Sequence, residues 1–253
     1  MLASTYKLID RSTNIMKSYV TGLAILALGF WQSASAAEIT GKVKLKGTPK
    51  PEVTIDMTGQ PYCGKAHEGQ KVTTRHFIVS SDKGLANVFV YIKEGAQKTP
   101  SKGPEPMLDQ VGCMYEPYVL GAVAGEKLKI RNSDATFHNV HATPSNPQNR
   151  EFNRAQSIKG QENEEVFAAP EVLVRMKCDV HPWMFAFIGV VDHPYFAVTD
   201  KDGSFKISNL PAGEYTIEAF HQKIGKMGAK SQKIKVSDSD KKTVDFELEV
   251  PAP

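Results

Sequence analysis

Cysteine is scarce in this chain: three among 253 residues, against seven histidines. Three sulfurs cannot build the dense disulfide framework of a small secreted scaffold. Their odd number leaves one thiol without a partner in the chain. No Cys-x2-Cys-His run occurs, which excludes a covalently attached c-type haem. Charge of one sign is lacking too. A formal net charge of +3 without a clustered basic face gives no electrostatic footprint for nucleic acid. Hydrophobic residues at 41% and charged residues at 23% exclude both a disordered tail and a bundle of membrane spans. Sustained 3.6-residue periodicity is missing after residue 36, while 19 Gly and 15 Pro supply turns.

The apolar run at residues 19–31 is shorter than the ~20 residues a spanning helix needs. It follows Lys17 and precedes Ala34-Ser35-Ala36. A charged start, a short apolar core and an A-x-A site are the parts of a secretory signal peptide. Residues 1–36 therefore read as a leader cut after Ala36, with Met16 as the natural start and an uncleaved anchor as the rival. Lys7, Arg11, Lys17 and Asp10 go with it, so the net charge falls from +3 to +1. The exported chain, periplasmic or secreted, keeps no stable membrane span and enters an oxidising compartment where disulfides persist.

What remains suits one or two domains at roughly 100–200 residues each. Strand-like segments recur at 40–45, 72–80, 85–92, 119–131, 171–176, 185–191, 195–199, 204–207, 214–219, 233–236 and 243–248. Gly125, Asp202-Gly203 and Pro211-Ala212-Gly213 mark turns. Residues 96–108 read as a surface crossing. Many short strands with frequent turns predict an all-β protein of sandwiches or barrels.

Two segments carry chemistry. Cys178-Asp179-Val180-His181-Pro182-Trp183-Met184 sets a thiol, an imidazole and a thioether within seven residues. Forty residues before Cys178, Phe137-His138-Asn139-Val140-His141 supplies two more imidazoles. Thiolate, two imidazoles and a weak axial thioether form the set that suits copper in electron transfer. Zinc rarely takes a thioether and prefers closed Cys/His sets. A binuclear copper site would need a second Cys in the loop, and none is there. Ordinary turn and core roles for these residues are the bland alternative, which four positions at these spacings argue against.

The arrangement resembles the cupredoxins, and the Cys-x2-His-x2-Met spacing is similar to the short ligand loop of amicyanin. The resemblance covers residues 105–192. It implies a Greek-key β-sandwich with copper held by His138, Cys178, His181 and Met184. It implies that Asn139 hydrogen-bonds across to the Cys loop. Asn132-Ser133-Asp134 is similar to the family's approach to its first ligand. The family's second histidine reaches the surface through an apolar patch that docks redox protein partners, which makes Pro182 and Trp183 docking candidates. Phe185 and Phe187 share a strand face and are expected in the core. Met176 departs from the pattern, since many members have an aromatic there. His141 is an extra imidazole that competes for metal or lies in a surface loop.

With Cys178 given to copper, Cys63 and Cys113 remain, and in an exported protein they pair as a disulfide. The rival is a second metal site joining Cys63 to His67, which Gly64 disfavours. Residues 197–217, with Thr199-Asp200, Gly203-Ser204-Phe205 and Leu210-Pro211-Ala212-Gly213-Glu214-Tyr215, resemble the carboxypeptidase regulatory-like domain, a transthyretin-like β-sandwich without catalytic function. Its usual opening strands match Gly41-Lys42-Val43 and Asn87-Val88-Phe89-Val90. The domain is therefore expected to be split, 38–104 with 193–250, and the cupredoxin at 105–192 inserted in it or flanked by it. His193 and His221 are expected at the surface or a sheet edge.

These readings predict an exported blue copper protein that carries single electrons and is not an enzyme. Copper binding or delivery without redox traffic is the alternative, and a structural or adhesion sandwich is a third.

Overall fold

The computed structural model describes residues 36–251. The leader read at 1–36 lies outside the described residues except for Ala36. Apolar residues at Ala37, Ile39, Val43 and Leu45 fall on one face of β1 (Ala37–Lys46), as the two-residue period of a strand requires. A short helix α1 (Pro61–Ala66) and β2 (Phe89–Glu94) follow. Next come β3 (Met107–Val111), β4 (Met114–Glu116), β5 (Val119–Val123), β6 (Lys127–Asn132) and β7 (His138–Thr143). They continue through β8 (Phe152–Gln156), β9 (Glu162–Val166), β10 (Glu171–Lys177) and β11 (Phe185–Val191). The chain closes with β12 (Phe196–Val198), β13 (Ser204–Leu210), β14 (Gly213–Phe220), β15 (Lys230–Val236), β16 (Lys241–Thr243) and β17 (Phe246–Glu249). The architecture is all-β, as the turn density predicts.

Strand pairing sorts the chain into two halves. Strands β3 to β11 pair only with one another, in sheets ordered β5-β11-β10-β7-β8 and β4-β3-β6-β9. Strands β1, β2 and β12 to β17 form the other two sheets, β13-β1-β16 with β17 on β1, and β12-β2-β14-β15. Each half buries its own core. Leu108, Leu128, Ile130, Val140, Met176 and Ile188 mark the first, and Ile39, Leu85, Ile92, Ile207, Ile217 and Leu248 the second.

Residues between β1 and β2 cross from one half to the other. Met57 and Cys63 join the core of the β3–β11 half, although sequence order places them beside β1. The 72–80 segment forms only isolated bridges, not the expected strand. Its backbone is satisfied instead by a side chain: Glu52 accepts from the His76 and Phe77 amides at 2.9 and 2.6 Å.

A third apolar cluster, with Phe89, Tyr118, Val191 and Phe220, joins the halves. Phe185 and Phe187 pack there half-buried, rather than in the sandwich core, which takes Ala186 and Ile188 from the opposite face of β11. Gly121 of β5 and Gly189 of β11 are paired neighbours. A Cβ at Gly189 would meet the Phe89 ring at 2.5 Å, and one at Gly121 the Phe196 ring at 2.0 Å. Only bare backbone lets the two sheets approach this closely.

His193 and His221 are buried, contrary to expectation. His193 Nε2–H donates to the Ile92 carbonyl at 2.8 Å, and the His221 ring stacks on Phe77 at 5.0 Å. The crossing segment covers His221 through Phe77.

Candidate metal centre

The strand order builds the centre. β10 lies between β7 and β11. The register sets Lys177 opposite both His141 and Phe185, so the 178–184 loop closes next to the start of β7. That loop is pinned internally. The Cys178 amide donates to the Met184 carbonyl at 3.0 Å, and the Met184 amide to the His181 carbonyl at 2.9 Å. Tyr115, fully buried, holds the two ligand-bearing strands together. Its hydroxyl lies 2.8 Å from the Asn139 carbonyl and 3.2 Å from that of Lys177.

His138, Cys178 and His181 come together with donor atoms mutually within 4.8 Å, all buried. His138 Nδ1 lies 3.0 Å from His181 Nδ1, and Cys178 Sγ lies 3.6 Å from His181 Nδ1. Spans of this size can be bridged by one cation with bonds of about 2.0 Å to imidazole and about 2.3 Å to sulfur. The spacing thus suits one cation. Met184 is buried in the same core.

Two of the donors, His138 and Cys178, are prepared by their surroundings. Asp134 Oδ2 accepts from His138 Nε2–H at 2.9 Å, which leaves the Nδ1 lone pair facing inward. Asp134 is itself held by the Gly112 and Cys113 amides, both at 2.7 Å. Burial works against the charged form of His138, but the hydrogen bonds to Asp134 and Cys178 outweigh it and raise its pKa. Burial alone would push the Cys178 thiol up. Hydrogen bonds from His138 and His181, and from the backbone of Asn139 and His181, bring it down to about 6. A metal-binding thiol must lose its proton, so this one is poised.

Asn139 reaches across the gap: its Oδ1 accepts from the Asp179 amide at 2.8 Å and lies 3.4 Å from Cys178 Sγ. His141 points away. Its nitrogens pair with Asp179 at 2.9 Å and Glu151 at 2.7 Å.

His181 is covered, which departs from the exposed position the resemblance implies: 1% of its surface is accessible. Trp183 packs over the ring at 5.2 Å between centroids, and its Nε1–H donates to the Cys113 carbonyl at 3.0 Å. Cys63 and Cys113 form a disulfide. Cys63 Sγ sits 3.6 Å from His181 Nε2. Pro182 remains exposed. His67 does not approach a metal position with Cys63; it donates instead to the Gly112 carbonyl at 2.6 Å. Two supporting residues, Asp134 behind His138 and Tyr115 between the strands, have roles that the motifs do not announce. The four-residue spacing of Asp134 and His138 is the available signal for the first, and nothing in the sequence marks the second.

No protein-family model and no curated protein matches the chain. Solved structures similar to part of it include a purple cupredoxin from Nitrosopumilus maritimus, 21% identical over 34% of this chain and 99% of that one, with a TM-score of 0.29. A mutant of amicyanin in the Cu(I) state is 19% identical over 40% of this chain and 97% of its own, at 0.31. The Cu-containing nitrite reductase of Thermus scotoductus SA-01 is 19% identical over 41% of this chain but only 25% of its own, at 0.32.

Proposed function

We propose that the chain is an exported mononuclear copper protein of the blue type that carries single electrons between redox partners. In this reading His138, Cys178 and His181 would hold copper strongly, and Met184 would add a weak thioether donor. The carrying observation is the buried convergence of those two imidazole nitrogens with a thiol whose pKa is lowered to about 6. Copper held there supplies a one-electron couple. The chain's own residues do the rest: Asp134 fixes the His138 tautomer, Asn139 holds the two ligand loops in register, and the closed loop keeps the donors from relaxing as charge changes. No helix among the described residues is long and apolar enough to cross a membrane.

Strand pairing supports reading 38–104 with 193–250 as one split sandwich and 105–192 as a copper-binding sandwich inserted in it. Copper storage or delivery is the second reading, favoured by one observation: no ligand imidazole of the set is open to a partner at the surface. Adding Cu(II) and recording visible and EPR spectra tests the first claim. An intense thiolate band with reversible one-electron voltammetry is expected; a colourless Cu(II) complex overturns it, and binding of Cu(I) alone favours delivery.

A further inference from the structure

The disulfide stands against the outer nitrogen of the His181 imidazole. Cys63 and Cys113 are both buried, and their sulfurs lie with a His181 nitrogen within 4.8 Å of one another. The two faces of His181 thus meet two different sulfur groups. Nδ1 faces Cys178 and Nε2 faces Cys63, each at 3.6 Å.

We propose that Cys63 and Cys113 form a second, masked site for Cu(I), which opens when the disulfide is reduced. Reduction by a dithiol of the thioredoxin class moves two electrons and two protons to the pair, and the dithiol leaves as a disulfide. Two thiols remain, 5.6 Å apart at Cα. Cu(I) binding then releases both thiol protons and forms two Cu–S bonds, a donor set this soft cation prefers. His181 Nε2–H needs no deprotonation. It donates to the Cys63 thiolate and offsets part of the buried negative charge.

The scaffold supports such opening. Cys63 rides on α1, six residues with Pro61, Lys65 and Ala66 turned to solvent. Cys113 follows Gly112 in the turn that Asp134 holds. Releasing α1 exposes the disulfide without disturbing a sheet. Because the same imidazole touches both sites, filling the second changes the electron density at Nδ1 and so perturbs the first. The site shares His181 with the reading proposed above but takes its metal on other sulfurs, so the two can fail separately.

The test counts copper on the full chain. Protein with the disulfide closed, and protein opened with dithiothreitol and desalted without oxygen, are each titrated with Cu(I) against a chromophoric chelator. The closed count reads the first site and the difference reads the second. One further copper on the open chain is expected, with Cys63 and Cys113 then shielded from iodoacetamide. No increment, or an increment with both thiols still alkylated, overturns the proposal whatever the closed chain binds. Cys63→Ala/Cys113→Ala must bind no additional copper. Fold is read alongside by near-UV dichroism: the second equivalent should raise the Tm of the open chain and leave that of the double variant unchanged. An open chain that stays unfolded with copper present also overturns the proposal.

Discussion

Two pairs of histidines occupy this molecule in opposite settings. His138 and His181 face each other 4.8 Å apart between ring centroids, with Asp134, Cys178 and Asn139 around them. His221 and His76 sit at the seam of the two halves, stacked on Phe77 and Phe185. His138 and His221 are both buried, yet their surroundings push the imidazole in opposite directions. Anionic partners raise His138, whereas burial, with His76 and Lys223 nearby, lowers His221 to about 4. His221 Nε2 finds no hydrogen-bond partner among the described residues. Burial alone therefore does not make a ligand site; convergent partners do.

Taking the sulfur away from the first setting should erase most of what distinguishes it. Cys178→Ser should abolish the thiolate band completely and leave the fold intact, since the residue lies in a loop between β10 and β11. A visible spectrum checks the band and far-UV dichroism the fold. An unchanged band would place the chromophore elsewhere.

Next in size is the staple over His181. Cys63 and Cys113 are 50 residues apart, and closing a loop of that length restricts the unfolded chain by about 4 kcal/mol. Cys63→Ala/Cys113→Ala should lose about that much stability in urea titration. A loss near zero would mean that the crossing segment holds its place over the first core by packing alone.

The second setting predicts acid lability. His221 is neutral when folded and takes up a proton when unfolded, so its contribution is intact above pH 6.5. It is lost as pH falls toward the folded value of about 4, because the unfolded chain binds the extra proton. The whole shift amounts to about 3 kcal/mol. His221→Leu should therefore flatten the stability curve between pH 7 and pH 4 by that amount, read as urea midpoints at several pH values. Parallel curves for the two proteins would sink the assignment.

Sequence and structure agree where local chemistry decides the outcome. The strands at 171–176 and 185–191 and the turn at Gly125 appear within a residue or two of their expected places. The convergence of His138, Cys178 and His181 is legible because motif spacing survives folding. What escapes depends on contacts remote in sequence. The 72–80 segment reads as a strand in the sequence, but Glu52 satisfies amides there that a ladder would otherwise take. Helix α1 leaves no pattern, since six residues with an internal Gly show no period. The cover over His181 joins residues 118 positions apart, and no local pattern encodes that. His193 and His221 are buried by partners remote in sequence, the Ile92 carbonyl and the Phe77 ring.

The mildest change falls on Asp134, the residue that most separates the two settings. Its carboxylate gives His138 a partner that His221 never has. Asn at this position preserves shape but keeps a single acceptor oxygen, where Asp134 turns Oδ1 to the Gly112 amide and Oδ2 to the Cys113 amide and His138, and it removes the charge behind His138 Nε2–H. Losing such a partner behind a metal-bound histidine typically costs about 10–100-fold in metal affinity. Asp134→Asn should therefore weaken copper binding within that range in a chelator competition, while the thiolate band persists with Cys178 unchanged. The histidine ring also loses the hydrogen bond that fixes its tautomer, so the part of the loss that reflects orientation should be partly restored by Asp134→Glu. If Asn binds copper as tightly as the native residue, then Asp134 serves the 112–113 turn alone, and burial of the donors, rather than their partners, is what makes this centre.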